Sequence, residues 1–390
     1  MILWIVLCLV FLSLTVYFVQ ILALRRKLSE SYGLTNFPPI SIIKPLKGLD
    51  DNLFDNLESF CKQDYPEYEV IFSLQDRNDP AYRVAEKVRN KYPELVKIVI
   101  DSSYNALNPK VKNMISAYKE SKYDYFLISD SNVYVEPDYL KKTVSSMTSD
   151  TGLVTNLIVG HGGKTLGAKL ENLQLNSFVI TSVCFLDKFL KMPCSIGKSM
   201  LMRKSDFEEI GGFNAVKDVL AEDYLIGKLM HQKGKRVVLC SYTIRNINEY
   251  WSMNKFLNRH TRWAKIRWKI AGLKYFSEPL SNPVFVSSLI PVLEGFSKIS
   301  MTAFILVVTI KIAFDLYISR LIKSPIGLSG LLIPLKDLIT AIIWFVPLLS
   351  CKINWRDNLY IIGKNTVIKP YESNSSLKVV FNRLKTVITG

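Results

Sequence analysis

The sequence lacks the cysteine and histidine patterns that organise metal-bound or disulfide-stapled folds. Its six cysteines (Cys8, Cys61, Cys184, Cys194, Cys240 and Cys351) form no CxxC pair, and none stands at zinc-ligand spacing to His161, His231 or His260. Cys8 and Cys351 lie in or beside apolar segments, so the even count implies no disulfide framework. The main domain is expected in a reducing compartment. No GxGxxG or GxxxxGK[ST] follows an apolar run, which excludes a Rossmann dinucleotide site and a P-loop. Charge is missing altogether from residues 1–24, and acidic charge is missing from residues 251–274.

What is present divides into soluble and membrane parts. Of 390 residues, 49% are hydrophobic and 22% charged, too apolar for a wholly soluble chain and too charged for a pure membrane bundle. The uncharged 1–24 is long enough to span a bilayer and runs straight into Arg25-Arg26-Lys27. A signal peptide carries its positive charge first, so this segment reads as an uncleaved anchor. Its basic C-terminal flank is expected to place the following domain in the cytoplasm, giving an integral membrane protein whose main domain is cytosolic.

The net charge of +16 requires an anionic partner, either nucleic acid or lipid headgroups. Its location favours lipid. Within 251–276, Lys255, Arg259, Arg262, Lys265, Arg267, Lys269 and Lys274 interleave with Trp251, Phe256, Trp263, Ile266, Trp268 and Ile270. That is the pattern of a basic amphipathic helix on a bilayer surface, and no nucleic-acid partner is expected. Residues 283–350 hold two or three further membrane segments, and 351–390 form a basic tail, with seven basic and two acidic residues from 352 onward. An anchor, a cytosolic domain and a cytosolic tail require an even number of C-terminal crossings, so one of three segments is expected to be re-entrant or interfacial. The apolar 164–192 reads either as core or as a helix at the membrane surface.

Between these parts, residues 38–250 read as an α/β domain. Strands are expected at 40–46, 70–74, 96–100 and 125–128, alternating with helices at 50–62 (capped by Asp50 or Asp51), 80–92 and 108–121, which implies a mostly parallel sheet. The chain pivots on Tyr123–Asn132, where an apolar strand breaks into Ser129-Asp130-Ser131-Asn132. Ligands in open α/β sheets bind beyond the carboxyl ends of the strands, where an acidic residue can hold a divalent metal on a diphosphate. Asp76 stands in the same relation to the second strand, and Glu222-Asp223 opens a later helix. Taken singly, Asp76 and Asp130 read equally well as turn residues, Asp223 as a helix cap and Trp263 as an interface anchor.

The ordered set QDRNDP (75–80), SDSN (129–132), AEDY (221–224) and RHTRW (259–263) resembles the ceramide glucosyltransferase family, whose pattern is three separated aspartates and (Q/R)xxRW. KPLKG (44–48), NPKVKN (108–113), GLV (152–154), LMRK (201–204) and WR (355–356) add to it, over residues 1–365. The resemblance implies a GT-A fold with transmembrane helices at both ends, and transfer of a sugar, glucose by family, from a UDP-sugar to a membrane lipid hydroxyl with inversion. Ceramide is the acceptor implied by the family name; hopanoid or other lipid acceptors and N-acetylglucosamine, or a processive polysaccharide synthase, are the alternatives. By position, Asp76 would bind uracil and Asp130 an Mg²⁺ or Mn²⁺ ion on the diphosphate. Asp223 would be the general base, and Arg259, Arg262 and Trp263 would hold the leaving diphosphate and shape the acceptor entrance. Lys44 and Lys112 would approach the nucleotide sugar. Asn132 stands where a two-acid DxD pair would have its second carboxylate.

Overall fold

The computed structural model describes residues 2–31, 33, 36–355 and 358–371. Strands β1 (Ile40–Pro45), β2 (Tyr68–Leu74), β3 (Val96–Ile100) and β4 (Tyr125–Ile128) alternate with helices, after a long N-terminal helix α1 (Ile2–Leu28). Those helices are α2 (Leu53–Cys61), α3 (Pro80–Lys91) and α4 (Pro109–Lys119). The cap of α2 is Asn52, in the left-handed region at φ 53°, and neither expected aspartate serves. Asp51 instead accepts the backbone N–H groups of Glu249 and Tyr250, tying this turn to the far edge of the sheet. Next come β5 (Val133–Tyr134), α5 (Tyr139–Val144) and β6 (Thr151–Gly162). The chain continues with α6 (Leu166–Gln174), α7 (Ile180–Leu190), β7 (Met200–Arg203), α8 (Lys204–Glu209), α9 (Glu222–Gln232) and β8 (Arg236–Asn248).

The eight strands form one sheet in the order β3-β2-β1-β4-β7-β6-β8-β5. Pairs among β1 to β4 are parallel, as is β6 with β8, while β7 runs antiparallel between β4 and β6. Alternation along the strands builds two cores. Ile42, Phe72 and Leu127 face α2, α3 and α5, whereas Ile43, Ile71, Phe126 and Ile128 face α4, α8 and α9. The first three strands progress to one side of β1 and β4 lies on its other side, so the order reverses between β1 and β4. Such a switch point leaves a crevice beyond the carboxyl ends of those strands.

The apolar helices pack beneath this layer. After the basic helix α10 (Met253–Ala271) come α11 (Pro283–Glu294), α12 (Lys298–Leu321) and α13 (Ile333–Leu349). Val6 and Val10 of α1 pack on Val286 and Ile290 of α11 and Val307 of α12, and Tyr17 packs on Phe314. Hence α1 and α12 run parallel and α11 runs against them. At its far end α12 places Ile318 and Ile322 on Leu157, Val159 and Leu239 of the sheet. The chain leaves α13 into a small antiparallel sheet, β9 (Lys352–Trp355), β10 (Asn358–Ile362) and β11 (Ile368–Pro370), whose Ile353, Ile362 and Ile368 pack on Leu220. Ahead of α13, Ser324 accepts the Asn176 amide (3.2 Å), and Lys336 in its first turn donates to Ser177 (3.0 Å), so both ends of α13 are tied to the α/β domain. The same holds for α6 and α7, which a π-turn at Leu175–Val179 joins into one apolar rod. Part of the expected basic tail is thus folded, while Arg356 and residues 372–390 lie outside the described residues.

Candidate active site

The crevice gathers charge from five elements. Asp130 lies two residues beyond β4, and Lys44 near the end of β1 sends its ammonium 2.8 Å from the Asp130 carbonyl oxygen. Lys110, in the first turn of α4, lies 2.9 Å from Asp130 Oδ1 and 2.8 Å from Glu222 Oε1 at the start of α9. Lys198, just before β7, lies 2.9 Å from Asp130 Oδ2 and 2.6 Å from Asn132 Oδ1. Burial opposes the charge on Asp130, but these two ammonium groups outweigh it and hold the carboxyl well below the usual carboxylate range. For Lys110 the three carboxylates Asp130, Glu222 and Asp223 overcome burial and raise its affinity for its proton. Lys198 ends below the ordinary lysine value, because burial exceeds the pull of Asp130 and Arg259 repels its charge.

Asp223 sits on the other side of Lys110. Its Oδ2 accepts the Gly197 N–H at 2.8 Å and its Oδ1 accepts its own neighbour Tyr224 N–H at 2.8 Å. The side chain does not cap α9, whose cap position is Ala221. Burial, and then the adjacent Glu222 carboxylate, push Asp223 up to about 6 from an ordinary 3.8. Gly197 is required here because a Cβ would stand 2.8 Å from Asp223 Oδ2 and 3.1 Å from Lys110 Nζ. Carboxyl groups titrating near neutrality and set among fixed cations are the usual equipment of proton transfer.

The segment leading into Asp223 is held from two sides. Asn108 caps α4, and its Nδ2 donates to Val219 O at 2.7 Å and Glu222 Oε2 at 3.2 Å. From the folded C-terminal segment, Thr366 accepts Leu220 N at its carbonyl (2.9 Å) and Ala221 N at its hydroxyl (3.3 Å). Thr366 is itself left-handed at φ 59°.

The other expected residues divide. Asp76 is exposed beyond β2, its carboxylate accepting the Asn78 N–H at 2.9 Å. Since β1 alone separates β2 from β4, Asp76 and Asp130 leave the same end of the sheet two strands apart, with Asp76 three residues further along its chain. Lys112 makes no side-chain contact with the acidic cluster; two residues on from Lys110, it points to another side of α4. Arg259 is buried between the rings of Trp251 and Trp263 (5.0 and 4.3 Å) and pairs with Glu171 of α6 at 3.1 Å. Glu171 also takes His260 at 2.7 Å. Arg259 thus faces a carboxylate inside the protein. Arg262 is half-buried on the same helix. Lys110, Lys198, Gly197 and Glu171 are the residues that sequence reasoning missed. Lys110 had a signal, since the Asn108 cap fixes which lysine of NPKVKN begins the helix; the others were brought in by the fold.

Among the described residues, no three His, Cys, Asp or Glu side chains converge as a metal cage. Asp130 and Asn132 do converge on one point, the Lys198 ammonium. Two oxygens there suit a divalent ion that takes its remaining ligands from a diphosphate and water.

Among the described residues, four helices are long and apolar enough to cross a membrane. Fold and site together define a membrane-associated glycosyltransferase with a GT-A-type domain. Among solved structures the chain is similar to a mannosyltransferase from Pyrobaculum calidifontis in complex with GDP-Man and Mn²⁺ (TM-score 0.51, 14% identity, 88% of this chain and 99% of that one), a likeness of fold. Glycosyl transferase family 21 matches over residues 5–368, and the chain belongs to that family. It is 28% identical over 359 residues to ceramide glucosyltransferase 3 of Caenorhabditis elegans, covering 89% of this chain and 77% of that one. It is 31% identical over 274 residues to ceramide glucosyltransferase 1 of the same organism, covering 69% of this chain and 57% of the relative.

Proposed function

We infer that this chain transfers a hexose, glucose by analogy with its relatives, from a UDP-sugar to the hydroxyl of a membrane lipid of the ceramide class. The observation that carries this reading is Asp223, held to about 6 beside a lysine-ringed Asp130 in a domain tied to apolar helices. The lipid hydroxyl gives its proton to Asp223 as its oxygen bonds to the anomeric carbon. The bond from that carbon to the diphosphate oxygen breaks, and UDP departs with the electron pair. Displacement from the opposite face inverts the centre, so an α-linked donor gives a β-glycoside. Lys110, Lys198 and Lys44 meet the charge of the departing diphosphate, which is worth most in a site shielded from water. Asp130, with Asn132 beside it, would hold Mg²⁺ or Mn²⁺, which supplies further neutralisation when bound. Asp76 offers an acceptor to the uracil N–H. Arg259 and Trp263 shape the acceptor side through Glu171, and Arg262 lies on the same helix beside them.

The catalytic domain faces the cytoplasm in this reading. With α1 crossing once, the even pair of crossings is α12 and the segment 272–294, in which a 3₁₀ turn along α1 leads into α11, itself only about 18 Å long. The helix α13, tied to the domain at both ends, and the α6–α7 rod lie along the interface.

The test is purified full-length protein with Mn²⁺ and radiolabelled UDP-glucose or UDP-N-acetylglucosamine, offered ceramide and a total lipid extract, beside Asp223→Ala. Label in a lipid with wild type and none with the variant supports the reaction. No labelled lipid from either donor overturns it.

A further inference from the structure

Asp223 stands in the first turn of α9, yet that helix has no cap of its own. Its N-cap is Ala221, a poor residue for the position, and its side chain offers no acceptor. In a capping box a Glu or Gln at the third helical position reaches back to the N-cap N–H, but here that position is Tyr224. The Ala221 N–H finds its acceptor 145 residues away, at Thr366 Oγ1 (3.3 Å).

The surrounding segment is clamped on both sides. On one side the Leu220 N–H donates to Thr366 O and the Ile368 N–H to Asp218 O, each at 2.9 Å, and Val219 pairs with Val367. On the other, the Leu107 N–H donates to Asp218 Oδ1 and the Asn108 N–H to Lys217 O, again at 2.9 Å. Thr366 makes its contacts from a strained backbone. It is fully buried at φ 59°, following Asn365 at φ 52°. Asparagine tolerates that region, whereas a β-branched residue there is an outlier. Glycine would adopt it freely but would lack the hydroxyl. Strain of this kind persists where the surroundings over-determine it, and it clusters at functional sites.

The strap has a second footing. Leu107 and Ile266 pack on the same cluster as Leu220, Ile353 and Ile368, and the Lys265 ammonium donates to the Lys352 carbonyl. Lys265 and Ile266 follow Arg259 and Trp263 along α10. The element that holds the approach to Asp223 is therefore seated on the basic helix.

We propose that Thr366 is a positioning residue for the base. Its hydroxyl, standing in for the missing cap, fixes the first turn of α9 and with it the direction of the Asp223 carboxylate, and the strained backbone is kept for that acceptor. The proposal rests on the transferase reading above, in which Asp223 takes the lipid proton. Being fully buried, Thr366 acts through the Ala221 backbone.

Two readouts on purified full-length protein test it, with Thr366→Val, Thr366→Ser and Thr366→Gly. The first removes the acceptor and keeps the branched shape, the second keeps the hydroxyl, and the third removes the hydroxyl while relaxing the backbone. Amide hydrogen exchange over residues 218–224 needs no substrate. It should quicken roughly fivefold in Thr366→Val and Thr366→Gly and stay near wild type in Thr366→Ser. In the transfer assay, Thr366→Val should lower kcat about tenfold or more with the KM for UDP-sugar unchanged, and Thr366→Ser should recover most of that loss. Thr366→Gly separates positioning from plain folding. A merely structural threonine predicts that the relaxed backbone restores kcat, whereas a positioning hydroxyl predicts a low kcat at an undiminished unfolding midpoint. Wild-type kcat in Thr366→Gly, or wild-type exchange in Thr366→Val, overturns the proposal. Exchange that responds as expected in a protein whose wild type labels no lipid would overturn the transferase reading and leave the hydroxyl's hold on α9 standing.

Discussion

Glu222→Gln should move the acid limb of activity to lower pH. Asp223 must be ionised to take the lipid proton, and its carboxyl is held at about 6 by burial first and by Glu222 second. A raised carboxyl value means that the base form is lost as pH falls through about 6. At about pH 5 only about one molecule in ten then carries the active base, and kcat/KM stands about tenfold below its plateau. Replacing Glu222 removes the second cause and keeps the first, so the limb should settle between 3.8 and about 6. The variant also leaves Lys110 with Asp130 as its remaining close carboxylate partner, so its plateau can fall while the limb moves; position and height are separate readouts. The assay is initial rate from about pH 5 to about pH 9 with UDP-sugar and lipid both well below saturation, so that the rate reports the free enzyme. Asp223→Asn should lose roughly 10²–10⁴ in rate. A profile flat down to about pH 5, or a limb in Glu222→Gln at or above that of wild type, would refute the assignment of Asp223 as base.

Gly197→Ala should cost activity at least tenfold with UDP binding retained, since its methyl group meets Asp223 Oδ2 at 2.8 Å; equal turnover by the two proteins would show that this contact is not made. Glu171→Ala strands a buried Arg259 and should lower stability by about 3–5 kcal/mol, read by thermal unfolding of the purified protein, where an unchanged midpoint would count against the pair. A chain ending at residue 350, lacking the Thr366 contacts to Leu220 and Ala221, should still bind the membrane yet lose transfer; full activity would show that the strap is dispensable. Impermeant thiol reagents should label Cys351 from the cytoplasmic side and a cysteine placed at Phe296 from the other; labelling of both from one side would contradict two crossings by the segment 272–294 and α12.

Most of the sheet was legible because its strands are short apolar runs between polar turns. Tyr125–Ile128 and Val96–Ile100 fall where periodicity puts them, and the Asn-Pro at 108–109 marks the start of α4. The aspartates were legible for the same reason, since a polar break after a buried strand is visible without coordinates. What was not legible arises from contacts distant in sequence. β6 carries His161 and several glycines, and its pairing with β8, not its own composition, makes it a strand. The segment after α13 reads as a basic tail, yet alternating Ile353, Tyr360, Ile362 and Ile368 find an apolar surface at Leu220. Lys198 and Glu171 have no local signal at all; each reaches its partner across a gap in sequence that no spacing rule covers.

Where hydropathy leaves the parity of the membrane segments open, attachment to the α/β domain offers a second criterion. Hydropathy treats α12, α13 and the α6–α7 rod alike, because each is long and apolar. Attachment separates them. A straight 17-residue helix is about 25 Å long, so one that begins and ends on the same domain runs along that face. Trp344 stacked on Tyr275 (5.5 Å, 8°) holds α13 there, and Trp268 packs edge-on against the same tyrosine. The basic helix is thereby fixed between α13 and Glu171 of α6, and its Arg259 lies near enough to Lys198 to repel its charge. In the proposed reading, the helix that packs on α13 is therefore also the one that shapes the acceptor side of the site. Detaching α13 from α10 should disturb chemistry and membrane binding together.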